Sequence, residues 1–293
     1  MLQRADSTGL AFALSANLLW GTFPIYFQAL EGAGALLTMA HRLLWALPFL
    51  MLVVTLTRQW GAASRGLRDL RELGLLAVSS ACMGTSWWLY VWAAQNERIV
   101  EASMGYYLTP IISLMVGLVM FRERLSRLRW VAVLLAAAGV LNLLAALGQV
   151  PWTGVALGLL FGVYGGVRKL CRTEATPGLL IENLLLMPIA IGMFLSLDAS
   201  PAFDEQTRWL LIGSGTVSIV PILCYVAAVR RLPMATLGTL FYMAPTIGFL
   251  VGVFWFEEPF GTAHAATFAL IWSGLLLFAL DGRTPKRLVY DAV

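Results

Sequence analysis

Long apolar stretches, separated by short clusters of charged residues, run along the whole chain. Ten stretches can be counted, at about 9–29, 35–56, 73–95, 102–121, 128–147, 152–170, 177–197, 208–228, 234–256 and 264–281. Each has roughly the length of a helix that crosses the hydrocarbon core of a bilayer, about 20 residues. The alternating pattern of membrane β-strands is absent from the sequence, and helices satisfy their own backbone hydrogen bonds in lipid. The pattern therefore predicts an all-α membrane protein with ten transmembrane helices.

The composition agrees with a chain that lies mostly in lipid. Of the 293 residues, 59% are hydrophobic and only 12% are charged, whereas a soluble domain carries about 25% charged residues. The net charge of +4 comes from basic residues in the connections between stretches, where membrane insertion and anionic lipid explain them. We therefore predict the lipid bilayer as a partner and no binding to nucleic acid.

The distribution of basic residues predicts the orientation of the chain. If the amino terminus is cytoplasmic, 17 of the 20 basic residues lie in cytoplasmic segments, Arg98 and Arg208 lie outside, and Arg42 lies within the second stretch. Cytoplasmic loops of membrane proteins carry an excess of arginine and lysine. Both termini are therefore predicted to be cytoplasmic.

The two halves of the sequence resemble each other. YLTP at 107–110 matches YMAP at 242–245, and Glu123 matches Glu258, each pair being 135 residues apart. We predict two duplicated five-helix repeats, residues 1–148 and 149–293. Because five is odd, the second repeat enters the membrane inverted, which is the plan of many secondary transporters.

Several strings, taken in order, resemble a known family. They are WGTFPIYFQAL, MAHRLLW, EASMGYYLTP, RERLSRLRW, GVRK, LLIENLLLMP and LPMATLGTLFYMAP. The chain resembles the RarD branch of the EamA, or drug/metabolite transporter, superfamily across nearly its whole length. That resemblance implies ten helices in two inverted repeats, a bacterial inner-membrane location, and export of small metabolites or xenobiotics without ATP.

The sequence departs from the family's pattern at two related turns. The turn that usually reads GER has Arg122, Glu123 and Arg124, and its partner in the second repeat has Glu257 where glycine is usual. We interpret this departure as a change at the cytoplasmic or periplasmic surface.

Two charged residues lie within predicted spans, where each charge costs roughly 2.5–3.5 kcal/mol near a helix centre. Arg42 and Glu182 each precede a proline, Pro48 and Pro188, by six residues. At 1.5 Å per residue, Arg42 lies about 10 Å from the outer face and Glu182 about 8 Å from the inner face. They are candidates for gating or for substrate contact. Snorkelling, or capping of backbone and polar neighbours, is an alternative for each.

Aromatic residues are unusually frequent within the spans, and a tyrosine hydroxyl in hydrocarbon needs a partner. Trp87 and Tyr90 share one helix face, and Trp88 and Trp92 share another, so either pair can line a cavity while the other meets lipid. Besides Arg42 and Glu182, the predicted substrate-binding residues are Asn17, Trp20, Trp87, Trp88, Tyr90, Tyr106, Tyr107, Tyr164, Tyr225 and Tyr242.

Other residues suggest structural roles or mark the membrane surface. Pro110 and Pro245 are predicted to interrupt two helices at matching positions, either to bend them or to free carbonyls for substrate. Gly117 and Gly238 are predicted to allow close helix packing. An interfacial belt is predicted from tryptophans at the ends of spans, namely Trp60, Trp130, Trp152 and Trp209.

The sequence carries no phosphate-binding loop, nucleophile elbow or zinc-protease motif. The widely spaced cysteines and the two distant histidines also favour no metal site, so no cofactor is predicted. We predict a non-enzymatic secondary transporter that exports small amphiphilic or aromatic metabolites by alternating access. Amino-acid-derived compounds and amino-acid-like metallophores are candidate substrates, and protons are a candidate coupling ion. A membrane-embedded enzyme or assembly scaffold is the alternative.

Overall fold

A computed structural model describes residues 6–95, 99–147, 152–196, 203–255, 257 and 261–281. All regular structure in the described residues is helical. The helices are α1 Ser7–Gly21, α2 Phe23–Gln28, a 3-10 turn Glu31–Ala33, α3 Ala35–Leu56, α4 Trp60–Arg68, α5 Leu70–Gln95, α6 Ile99–Met120, α7 Arg127–Leu147, α8 Trp152–Leu170, α9 Ala175–Ser196, α10 Glu205–Val229, α11 Met234–Phe241, α12 Met243–Trp255 and α13 Thr262–Leu280.

The prediction of an all-helical membrane protein is confirmed. Each predicted stretch coincides with one helix or with a broken pair of helices. Five described segments are long and apolar enough to cross a membrane, namely Ser7–Gln28, Ala35–Leu56, Ala175–Ser196, Glu205–Val229 and Met234–Trp255. The full set of ten spans remains a prediction.

Two of the membrane-length segments are broken near a proline. Thr22 separates α1 from α2, whose second residue is Pro24, and Tyr242 separates α11 from α12, whose third residue is Pro245. Pro110, by contrast, lies inside the continuous helix α6. Helix α6 is therefore not broken at Pro110, and a bend at this position stays a prediction.

One end of the bundle carries most of the described hydrogen bonds and ion pairs between loops. We call it the charged end, and it comprises residues 57–72, 121–129, 168–174 and 230–235. Its segments are tied together by contacts such as Gln59 Nε2 to Glu174 Oε2 at 2.8 Å and Arg230 Nη1 to the Thr173 carbonyl at 2.6 Å. Helices α3 and α8 end there, and α9 begins there.

The main helix contacts join the first half of the chain to the second. Helix α1 packs on α10 and α12, whereas α8 packs on α5 and α6. Helix α3 lies against α9 and α10, and α9 also contacts α5. Helices α7 and α13 form a further pair, as do α6 and α11.

Small residues allow this close approach. A Cβ added at Gly238 would lie 2.6 Å from the Pro110 carbonyl oxygen, and one at Gly117 would lie 2.7 Å from Glu123 Oε2. The predicted role of these glycines in packing is confirmed.

Two non-glycine residues adopt the left-handed backbone conformation at matching positions. Arg122 has φ 49° and Glu257 has φ 54°, and the two are 135 residues apart. Glycine is the residue that adopts positive φ at no steric cost, which explains why it is usual in these turns. Arg122 and Glu257 are exposed, as predicted, but Glu123 is buried. That interpretation concerned the changed residues, Arg122 and Glu257, whereas Glu123 is the unchanged residue of the usual GER pattern.

Candidate functional site

A cluster of aromatic rings occupies the contact between α1 and helices of the second half. The Trp20 ring lies 5.6 Å from both Phe161 and Tyr225 and 5.5 Å from Phe241, measured between ring centroids. Tyr164 joins the cluster 5.9 Å from Phe161. Three of the predicted site residues, Trp20, Tyr164 and Tyr225, are therefore brought together.

Glu182 lies beside this cluster and forms a buried ion pair. Arg168 Nε is 3.5 Å from Glu182 Oε1, and their side chains are 0% and 6% exposed. Ser79 donates a hydrogen bond to Glu182 Oε1, and the Tyr164 hydroxyl donates to Oε2 at 3.5 Å. A buried charge needs such partners, because desolvation costs several kcal/mol per ion.

The position of Arg168 differs from the one that the sequence indicates. It was expected in a cytoplasmic connection, but it belongs to the last turn of α8 and is 1% exposed. Its guanidinium lies against the backbone of α9, where a Cβ at Gly178 would come within 2.6 Å of Nη2. Gly178 thus makes room for the arginine, and Arg168 Nη2 donates to the Ala175 carbonyl at 3.4 Å.

Arg42 lies between aromatic rings near the opposite end of the bundle. Its guanidinium carbon is 5.0 Å from the centroid of Phe27 and 5.3 Å from that of Trp87. Nε donates to the Ser218 hydroxyl at 2.7 Å. Of these partners, Ser218 is buried, at 2% exposure.

A cavity of about 230 Å³ opens beside Trp87. Its walls come from α3, α5 and α9, and they are almost entirely apolar. The lining residues are Met39, Leu43, Gly84, Thr85, Trp87, Trp88, Leu186, Ile189 and Met193. Trp88 is 54% exposed, whereas Trp87 packs against Arg42. Both Trp87 and Trp88 line the cavity, so which of the two faces contacts substrate stays a prediction.

The remaining predicted residues lie elsewhere. Tyr107 packs near Tyr242 in a separate cluster with α7 and α13. The Asn17 side chain is buried and donates to the Ala13 carbonyl at 2.7 Å. Tyr90 packs with Leu157 of α8. The side chain of Tyr106 lies outside the described residues, and its role in substrate binding stays a prediction.

Two carboxylates at the charged end were missed as site residues. Glu72 accepts hydrogen bonds from the backbone N–H of Arg172 at 2.9 Å and of Thr173 at 2.9 Å, and from the Thr173 hydroxyl at 2.8 Å. It is 5% exposed. Glu72 therefore holds the loop between α8 and α9 in place.

Glu123 makes a similar contact at the start of α11. It accepts from the backbone N–H of Met234 at 2.8 Å and of Ala235 at 2.9 Å. Lys169 Nζ lies 3.3 Å from Glu123 Oε1 and donates to the Leu232 carbonyl at 2.9 Å. A carboxylate is favourable there because the first N–H groups of a helix have no partners within it.

The tryptophans predicted for the interfacial belt are exposed. Trp60 and Trp130 are each 45% exposed, Trp209 is 64% exposed and Trp152 is 71% exposed. Aromatic side chains exposed at the ends of apolar helices suit the boundary between lipid and water.

An all-helical bundle with membrane-length apolar helices and charges paired in its interior defines a multi-pass membrane protein. Comparisons with known proteins identify its family. The model of the EamA-like transporter family matches residues 7–145. The chain is 36% identical over 284 residues to protein RarD of Escherichia coli, covering 95% of this chain and 96% of that protein.

Other relatives and one solved structure agree. Uncharacterized transporters of Vibrio cholerae and of Bacillus subtilis (YojE) are 36% and 37% identical, with 96% and 98% of this chain covered and 94% and 98% of theirs. A crystal structure at 19% identity superimposes with a TM-score of 0.75, covering 94% of this chain and 99% of the other. The chain belongs to the EamA-like transporter family.

Membership confirms several predictions. The protein is a non-enzymatic transmembrane transporter related to bacterial transporters. Its partners accordingly include a small-molecule substrate and the lipid bilayer.

Proposed function

We propose that the protein is a secondary transporter of the bacterial inner membrane that exports small amphiphilic or aromatic organic metabolites without ATP. In this proposal residues 1–148 and 149–293 are inverted five-helix repeats that rock against each other. A site between them then faces each side of the membrane in turn.

The observation that carries this proposal is that the helix contacts occur in matched pairs. In the two repeats, α1, α3 and α5 correspond to α8, α9 and α10. The contact of α1 with α10 is matched by that of α8 with α5, and the contact of α3 with α10 is matched by that of α9 with α5. A two-fold axis in the membrane plane requires such exchange. Two arrangements related by this axis have similar energy, which alternating access needs.

The polar contacts follow the same exchange. Arg42 of α3 binds Ser218 of α10, and Glu182 of α9 binds Ser79 of α5. Arg42 and Glu182 each lie seven residues after the first residue of their helix, Ala35 and Ala175. Charges at equivalent depth in the two repeats favour roles in gating or substrate contact.

We assign the charged end to the cytoplasm and both termini to the same side. The support is the sequence count: of the 17 basic residues predicted to be cytoplasmic, 13 lie in the segments of the charged end. The cavity beside Trp87 then lies toward the periplasm.

We propose that the apolar part of the substrate binds in the cavity beside Trp87. The substrate passes the aromatic cluster on its way through the bundle. A cavity of 150 Å³ accepts benzene, so about 230 Å³ suits a ring with a short substituent. Trp87 separates this space from Arg42. Asn17, Trp88, Tyr90, Tyr106, Tyr107 and Tyr242 are retained in the proposal as predicted contacts.

Protons are the coupling ion in this proposal, with Glu182 as the carrier. Its contact with the Tyr164 hydroxyl connects it to the aromatic cluster. If Glu182 carries the proton, the pH dependence of transport disappears in a folded Glu182 variant. Retained pH dependence would contradict this assignment.

The experiment is transport by purified protein in liposomes, with a panel of labelled aromatic and amphiphilic metabolites. Trp87→Ala should lower transport at least about tenfold at equal folded protein, since loss of one buried aromatic contact costs on the order of 1–3 kcal/mol. Trp130→Ala is the control, because its ring is 45% exposed and does not line the cavity. Failure of the wild type with the whole panel, in folded protein, would contradict transport.

Direction requires a separate measurement. Export predicts that cells with the protein accumulate the substrate in the medium, and that cells without it do not. Accumulation inside the cells instead would contradict export while leaving transport intact.

A further inference from the structure

The charged end is closed by contacts that cross between the two halves of the chain. Glu72 of α5 binds the backbone of the loop between α8 and α9, and Glu123 binds the first residues of α11. Within the second half, Arg230 donates to the carbonyls of Arg172 and Thr173 and so holds the same loop. The two halves of the chain are therefore bound to each other at the charged end.

These two carboxylates differ from ordinary helix caps. Each is buried, at 5% exposure for Glu72 and 7% for Glu123, and each accepts hydrogen bonds from two consecutive N–H groups of the other half. Hydrogen bonds to an ionised acceptor are about twice as strong as neutral ones. The donors are backbone groups, so separation of the segments would break these contacts.

We infer that Glu72 and Glu123 are gating residues that hold the charged end closed and release it in each transport cycle. This inference rests on the alternating access of the proposed function. In the arrangement described, the charged end is shut while the cavity beside Trp87 is open at the opposite half.

Cys171 provides a reporter of this gate. It lies at the charged end, is 5% exposed, and packs with Leu76 and Ile181. Burial raises the pKa of its thiol to about 11, which lowers its reactivity because the thiolate is the nucleophile. Opening of the charged end would expose the thiol and restore its reactivity.

The test uses full-length protein with Cys82→Ser and Cys224→Ser, so that Cys171 is the single thiol. A membrane-impermeant maleimide is applied to purified protein in lipid nanodiscs. The double variant Glu72→Gln, Glu123→Gln should raise the labelling rate of Cys171 roughly tenfold, as expected when charge-assisted bonds become neutral ones. Glu205→Gln is the matched control, because Glu205 is an exposed carboxylate that contacts only Trp209 within α10 among the bonds described.

A second reporter separates gating from simple loosening of the fold. Thr85, which lines the cavity, is replaced by cysteine in protein with all three native cysteines changed to serine. Reciprocal labelling, higher at Cys171 and lower at T85C, supports the gate. Unchanged labelling of Cys171 overturns it, and so does a rise at both reporters with a lower melting temperature.

Failure of the gate and failure of the proposed function are distinguishable. Unchanged Cys171 labelling in a protein that transports in liposomes rejects the gate alone. Reciprocal labelling in a protein that transports nothing from the panel supports the gate and rejects the proposed substrates.

Discussion

Breaking the Arg168–Glu182 pair should be among the most costly single changes in this protein. Glu182→Gln leaves the Arg168 charge in a position where the side chain is 0% exposed. Removing one partner of a buried pair typically costs about 3–5 kcal/mol, because the other charge remains desolvated. Arg168→Gln should cost a similar amount. We therefore expect large losses of stability for both single variants.

The double variant tests whether the cost comes from the pair itself. With both charges replaced by glutamine, the loss should fall short of the sum of the single losses by about 2 kcal/mol, within the range for residues in direct contact. The measurement is the free energy of unfolding in mixed micelles by denaturant titration. Additive losses would refute the reasoning.

An exposed ion pair in the same protein provides the control. Arg231 Nε lies 3.9 Å from Asp6 Oδ2, with side chains 41% and 43% exposed. Such pairs contribute about 0–1 kcal/mol because water and salt screen them. If Glu182→Gln costs no more than Arg231→Gln, the described burial of the pair is contradicted.

The expected loss of stability also changes how transport by Glu182 variants is measured. The pair with Arg168 implies that Glu182→Gln lowers the amount of folded protein as well as any transport. Transport per folded molecule in the double variant is therefore the informative quantity.

Two further predictions concern backbone and packing. Arg122→Gly and Glu257→Gly should each raise the free energy of unfolding by about 1 kcal/mol, because both positions have positive φ; unchanged melting temperatures would contradict this. Gly215→Ala should destabilise by about 1–3 kcal/mol, because its Cβ would collide with the backbone of α3. Gly192 has open space around it, so Gly192→Ala should be neutral or stabilising by up to about 1 kcal/mol. Equal changes in melting temperature for Gly215→Ala and Gly192→Ala would refute the packing argument.

Much of the fold was predictable because lipid imposes a simple rule on sequence. Apolar stretches of membrane length mark helices, and their bounds agree with the described helices to within a few residues at most ends. Helix α4 was not predicted, because Trp60–Arg68 is short and polar and gives no membrane signal. The break at Thr22 was also missed, although Pro24 provides a signal for a new helix start.

The site was predicted only where residue type alone carries information. Arg42 and Glu182 stood out because charges in spans are rare. Arg168 was missed because it lies next to Lys169 and Arg172, where a count of basic residues treats all three alike. Glu72 and Glu123 were missed because their partners are backbone N–H groups a hundred or more positions away in sequence, which no local pattern encodes.

The dependence of each half on the other has a consequence for biosynthesis. When the ribosome has made only the first half, Glu72 and Glu123 have none of the donors that the second half supplies. We therefore expect the first half, produced alone, to be degraded faster than the complete chain. Co-production of the two halves as separate polypeptides should rescue each from degradation, as partners stabilise each other by mass action.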